Sequence, residues 1–97
     1  MNVVSRKTLV EFYQIYSDAR EPLETWYKVC RKVEWRNFNE VRLAYPSADW
    51  VGDERVVFNI KGNKYRLIGR FSFRYKSIQV KWIGTHADYD SLDVLKR

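Results

Sequence analysis

Arg66, His86 and Tyr89 are the residues of this 97-residue chain whose types and placement could do chemistry together. His86 is the only histidine, and an imidazole with an ordinary pKa of about 6.5 can both take and give a proton near neutrality. Tyr89 follows three positions later, the spacing that makes two side chains neighbours on a helix. Arg66 sits in a strongly basic stretch, since residues 51–86 hold eight Lys and Arg against two acids, Asp53 and Glu54. That local balance of +6 equals the balance of the whole chain, so the charge is concentrated in one region. An arginine fork can hold two phosphoryl oxygens at once. Beside a proton-transfer group it suits phosphodiester transesterification of RNA. A base takes the proton of a ribose 2′-OH, the 2′-oxygen attacks the adjacent phosphorus in line, the cation stabilises the added charge, and an acid protonates the departing 5′-oxygen. That step needs no metal and no cofactor, and one Cys with one His builds no metal-ligand cluster.

Strands must carry most of these groups. Val56-Val57-Phe58-Asn59-Ile60 has strand composition, and Gly62-Asn63 is a two-residue hairpin turn signal. Beyond it Tyr65, Leu67, Phe71 and Phe73 alternate with Arg66, Ile68, Arg70 and Ser72, so apolar groups share one face and arginines the other. Arg74 to Ser77 turns the chain, and Ile78, Val80 and Trp82 alternate with Gln79, Lys81 and Ile83. Thr85 can cap a short final helix that carries His86 and Tyr89, with Asp88 placed to favour the helix dipole.

The first half reads as helices. Asn2-Val3-Val4 fits an edge strand and Ser5 a cap. Leu9, Phe12, Tyr13 and Tyr16 recur with helical period, as do Leu23, Trp26, Tyr27 and Cys30 after Pro22, which predicts an antiparallel helical hairpin. Asn37 and Glu40 have capping-box spacing for a third helix to about Ala44. Residues 46–54 read as a loop. The expected architecture is a compact α+β domain over residues 1–97: an antiparallel sheet, the N-terminal helical hairpin packed on one face, and a short C-terminal helix.

A turn at Gly62-Asn63 sets Asn59 opposite Arg66 and Val57 opposite Ile68. A second turn at Tyr75-Lys76 sets Arg70 opposite Lys81 and Arg66 opposite Thr85. Asn59, Arg66 and Thr85 then form a row with His86 at its end. Asn59, Lys61, Lys64, Arg70 and Lys81 share the face of Arg66 as candidates to grip flanking phosphates. Arg70 facing Lys81 would set like charges together, a conflict that an anion would relieve.

Each group also has an ordinary explanation. A histidine after a strand can be a plain capping residue, Arg66, Arg70 and Lys81 a solvated sheet face, Tyr89 a core anchor of the last helix, and Lys61 and Lys64 the usual polar flank of a turn. The four tryptophans read as packing groups, with Trp26 and Trp82 on apolar faces, and Cys30 as a buried structural thiol. With 16 aromatic residues a real core can form. No apolar run could span a bilayer and Met1-Asn2-Val3 opens no signal-peptide pattern, so a cytoplasmic chain without membrane contact is expected. The basic charge favours an anionic partner.

Val57-Phe58-Asn59-Ile60-Lys61-Gly62-Asn63-Lys64-Tyr65-Arg66-Leu67, followed by Trp82-Ile83-Gly84-Thr85-His86-Ala87-Asp88-Tyr89-Asp90, resembles the HigB-type toxins of bacterial type II toxin–antitoxin modules, members of the RelE-like superfamily. The helical first half and Ala44-Tyr45-Pro46-Ser47-Ala48-Asp49 fit the same resemblance. It implies a RelE-like fold and an mRNA interferase that cleaves messages on the translating ribosome. It also implies a HigA-type antitoxin with a helix-turn-helix domain, which neutralises the toxin and represses their operon as a complex. By position, Arg66, His86 and Tyr89 match the arginine, histidine and tyrosine used in the superfamily, and Lys61 and Lys64 its basic turn. Some members use a glutamate base, which this basic face lacks. Two rivals stand beside that reading: a non-catalytic RNA- or ribosome-binding module, and an interaction protein whose basic surface docks an acidic segment.

Overall fold

The computed structural model describes residues 1–93; Lys96 and Arg97, counted in the charge balance, lie outside them. The elements run β1 (Asn2–Val4), α1 (Arg6–Ile15), a 3₁₀ turn (Ser17–Ala19), α2 (Arg20–Lys32), α3 (Phe38–Ala44), β2 (Asp49–Gly52), β3 (Arg55–Ile60), β4 (Tyr65–Ser72), β5 (Ser77–Thr85) and α4 (His86–Asp90). The strands form one five-stranded sheet in the order β1-β5-β4-β3-β2. Its three central strands are the expected antiparallel meander. The sheet as a whole is mixed, because β1 lies parallel to β5 at the edge. The chain can make that parallel return only because α1 to β4 intervene between the two strands.

Helical periodicity holds except at Tyr16, which lies just past α1 and is exposed. Leu9, Leu23, Trp26, Cys30 and Val41 bury one face of the helices against Phe58, Tyr65, Leu67, Phe71, Ile78 and Val80 of the sheet. Burial pushes the Cys30 thiol up to about 12, so it stays protonated and serves packing. Asn37 caps α3 by accepting the Glu40 N–H at 3.1 Å. Glu40 reaches back one residue further than the capping box requires, to the Arg36 N–H at 2.9 Å and guanidinium at 3.0 Å. Ser5 departs from expectation: its backbone is left-handed (φ 75°) and its side chain makes no cap. Instead its carbonyl accepts the Thr8 N–H at 3.0 Å.

The segment expected to be a loop contains β2, which pairs antiparallel with β3 through Asp49↔Val57 and Trp50↔Val56. A tight reversal permits this, with positive φ at Gly52, Asp53 and Glu54. No helix among the described residues is long and apolar enough to cross a membrane.

Candidate functional site

The β3–β4 register is as the Gly62-Asn63 turn predicts: Asn59 pairs with Arg66 and Val57 with Ile68, and the Lys64 N–H closes the turn onto the Lys61 carbonyl at 3.2 Å. The β4–β5 register is not. Ser72 pairs with Ser77, so the connection holds four residues, and Arg70 lies opposite Gln79. One strand interval further on, Gly69 pairs with Val80 but Ile68 with Trp82, leaving Lys81 as an extra residue on β5. This bulge inverts the alternation of side chains along the rest of the strand. Trp82 therefore leaves the face of Val80 and joins that of Arg66, while Ile83 packs against the core. Gly84, not Thr85, stands opposite Arg66, and Thr85 faces Tyr65.

Two consequences shape the site. The expected clash of Arg70 with Lys81 does not exist; Arg70 lies beside Arg55 instead, and each has its own carboxylate, Glu54 at 3.6 Å and Asp53 at 2.6 Å. The Trp82 indole meanwhile lies forward along its own strand over Gly84. A Cβ on Gly84 would meet Cζ2 and Cη2 of the ring at 2.4 Å. Beneath this face Val57 and Ile68 are buried, giving an apolar floor under a cation.

Arg66 rises from that floor. Its guanidinium carbon is 5.8 Å from the centre of the Tyr89 ring, within the range of a cation–π contact. The Tyr89 and Trp82 rings are 6.2 Å apart. Among the described residues, Nη1 of Arg66 is buried and has no hydrogen-bond partner. A buried donor left unmade costs about 1–3 kcal/mol, and a charged one more, so the fold holds this nitrogen short of an acceptor.

α4 brings the remaining groups. Thr85 caps it as expected, accepting the Asp88 N–H at 3.1 Å. The His86 N–H donates to the Lys64 carbonyl at 3.2 Å, which ties the helix start to the β3–β4 turn. The imidazole Nδ1 lies 3.1 Å from Asp90 Oδ2, one turn along. Among the described residues Asp90 is its only side-chain partner. Burial holds the Tyr89 phenol above its usual pKa; Arg66 opposes that shift, and Asp49 and Asp90 reinforce it. Asp49 sits in the cross-strand row of Val57, Ile68 and Trp82, so a carboxylate does stand at the border of this face.

Lys61 and Lys64 are engaged elsewhere. Asp18, on the turn between α1 and α2, pairs with Lys61 at 3.4 Å and closely with Lys64, and accepts the Tyr65 hydroxyl. These partners hold its carboxyl far below the usual carboxylate range, the Lys64 hydrogen bond most, then that of Tyr65, with burial opposing and Lys61 adding. Both lysines remain about half exposed, at 46% and 56% of the side chain, so they can still reach solution anions. Of the eight expected site residues, the structure gathers Arg66, Tyr89 and Asn59, and sets His86 at the edge beside them. Lys61 and Lys64 lie on the adjoining turn, Lys81 in the bulge, and Arg70 four residues along β4, about 13 Å away at strand spacing. Trp82, Gly84, Asp18, Asp49 and Asp90 were not expected in or around the site. Adjacent apolar residues at Trp82-Ile83 were the one available sign that strict alternation fails on β5.

Fold and site together define a small α+β protein presenting a cationic, aromatic-lined sheet face suited to an anionic ligand. The chain belongs to the HigB toxin family, described as the RelE-like toxic component of a toxin–antitoxin system, whose model matches residues 19–92. It is 29% identical over 94 residues to the mRNA interferase HigB of Escherichia coli O6:H1 (strain CFT073), spanning 95% of this chain and 91% of that one. It is 22% identical over 99 residues to the mRNA interferase toxin HigB of Escherichia coli K12, spanning 100% and 95%. The mRNA interferase HigB of Shigella flexneri is equally similar.

Proposed function

We propose that this toxin is a metal-independent endoribonuclease that cleaves mRNA on the translating ribosome and is neutralised by a HigA-type antitoxin with a helix-turn-helix domain. The observation that carries the catalytic reading is the buried Nη1 of Arg66, without a hydrogen-bond partner among the described residues, a cationic donor held beside the Tyr89 ring. Preorganised donors of this kind stabilise charge that develops in a transition state without reorganising at the moment of reaction. Arg66 binds the scissile phosphate and the negative charge that builds on it. His86 makes one of the two proton transfers, taking the proton of the 2′-OH or supplying one to the 5′-oxygen. Tyr89, its phenol kept protonated, donates to a phosphoryl oxygen or stacks on a base. Asn59, Lys61, Lys64, Arg70 and Lys81 hold the flanking backbone. The names of the relatives, each an mRNA interferase, support the choice of substrate.

Arg66→Ala and His86→Ala should each relieve the growth arrest caused by the induced chain, while the variants still melt cooperatively near the wild-type temperature and still co-purify with the antitoxin. Arrest persisting in both at equal expression would overturn the site. Salt-sensitive RNA binding without any cleavage would make the basic face a grip only.

A further inference from the structure

We infer that Asp90 is a positioning residue for His86, holding Nδ1 protonated so that Nε2 faces the substrate as the working nitrogen. This rests on the catalytic reading of His86 and goes beyond it, because the carboxylate touches no reacting atom. The two residues are the first and last of α4, at i and i+4, and so lie on one side of a single helical turn. Oδ2 of Asp90 stands 3.1 Å from Nδ1, hydrogen-bond distance for an N–H donating to a carboxylate. A neutral imidazole carries one proton. Whichever nitrogen donates to a carboxylate leaves the other as the acceptor. The pairing thus selects a tautomer that would otherwise be mixed, and it stabilises the imidazolium once Nε2 has taken a proton.

Stability does not explain the pair. Both side chains are largely open to water, at 42% and 64%, and exposed ion pairs contribute little to folding. The other charged groups around α4 are already engaged or have the wrong sign. Lys64, on the adjoining turn, is bound to Asp18. Arg66 on β4 stacks on Tyr89. Asp88 lies two residues from His86 on the helix itself, a spacing at which side chains do not face each other, and Asp49 on β2 acts on Tyr89. Among the described residues Asp90 alone is seated on the imidazole.

The chain has one histidine, so ¹⁵N-imidazole NMR of the full-length protein reads this group without ambiguity. In the wild type the neutral ring should be the Nδ1–H tautomer. In Asp90→Asn the tautomers should mix. mRNA cleavage should fall about tenfold in Asp90→Asn, a fraction of what general acid–base catalysis supplies, and Asp90→Glu should recover most of it. His86→Ala with Asp90→Asn should be no worse than His86→Ala alone, as expected of residues acting as one unit. An unchanged tautomer in Asp90→Asn would overturn the inference while leaving His86 as a catalyst. If His86→Ala keeps full cleavage, the catalytic reading of His86 falls, and the positioning role with it.

Discussion

Arg66 sits where a fixed cation is most useful and least comfortable, on an apolar floor, against Tyr89, with a buried nitrogen that has no partner among the described residues. Its position is legible in the sequence because Gly62-Asn63 fixes the β3–β4 register and alternation fixes the face. His86 and Tyr89 are legible for a similar reason, since Thr85 marks the helix start and three residues make a near turn. Trp82 is not, because one bulged residue on β5 reverses its face, and the adjacent apolar pair Trp82-Ile83 signals only that alternation fails, not which of the two faces the core. Gly84 becomes meaningful only after that slip. Gly84→Ala should therefore act through the Trp82 ring, which must move because the new methyl would lie 2.4 Å from it. We expect a loss of about 1–3 kcal/mol of stability, the usual cost of an inserted methyl, together with weaker cleavage and changed tryptophan fluorescence. A variant equal to wild type in both melting temperature and emission would show that the ring does not rest on Gly84.

At the scale of elements, the β3–β4 turn is held to the helical hairpin by Asp18, which binds Lys61, Lys64 and Tyr65 together. Sequence separation hides this contact: Asp18 lies in the polar break between two helices, more than 40 residues from the turn, and only the packed fold makes them neighbours. Because the folded carboxyl has a depressed pKa, its contribution to stability is fully present above the unfolded value of about 3.9 and is lost as pH falls toward the folded one. Asp18→Asn should accordingly melt at lower temperature than wild type at neutral pH, with the gap closing progressively below about pH 4. Thermal melts of both chains across that range would show it. A gap that stays constant through the acid range would mean that the ionised carboxylate contributes nothing. The short strand β2 escapes sequence reading for a plainer reason: four residues are too few for a period to declare itself, and Pro46 and Gly52 at either side look like a loop.

For the whole molecule, the division of faces is the feature that links fold to activity. Helices cover one side of the sheet with an aromatic core. The other side keeps Arg66, Asn59 and the turn lysines accessible beside α4, the last element to leave the sheet. The excess of positive charge in residues 51–86 is legible from composition and indicates an anionic partner, yet its lysines and arginines prove to be unevenly available, several of them already paired with Asp18, Asp53 or Glu54. Composition counts charges and cannot see pairing. The most direct measurement is a map of mRNA 5′ ends in cells after brief induction, without antitoxin, of the wild-type chain and of Arg66→Ala. New ends inside translated frames that vanish in the variant are the predicted result. Growth arrest by the wild type with no new ends, or ends that persist at the same positions in Arg66→Ala, would contradict it.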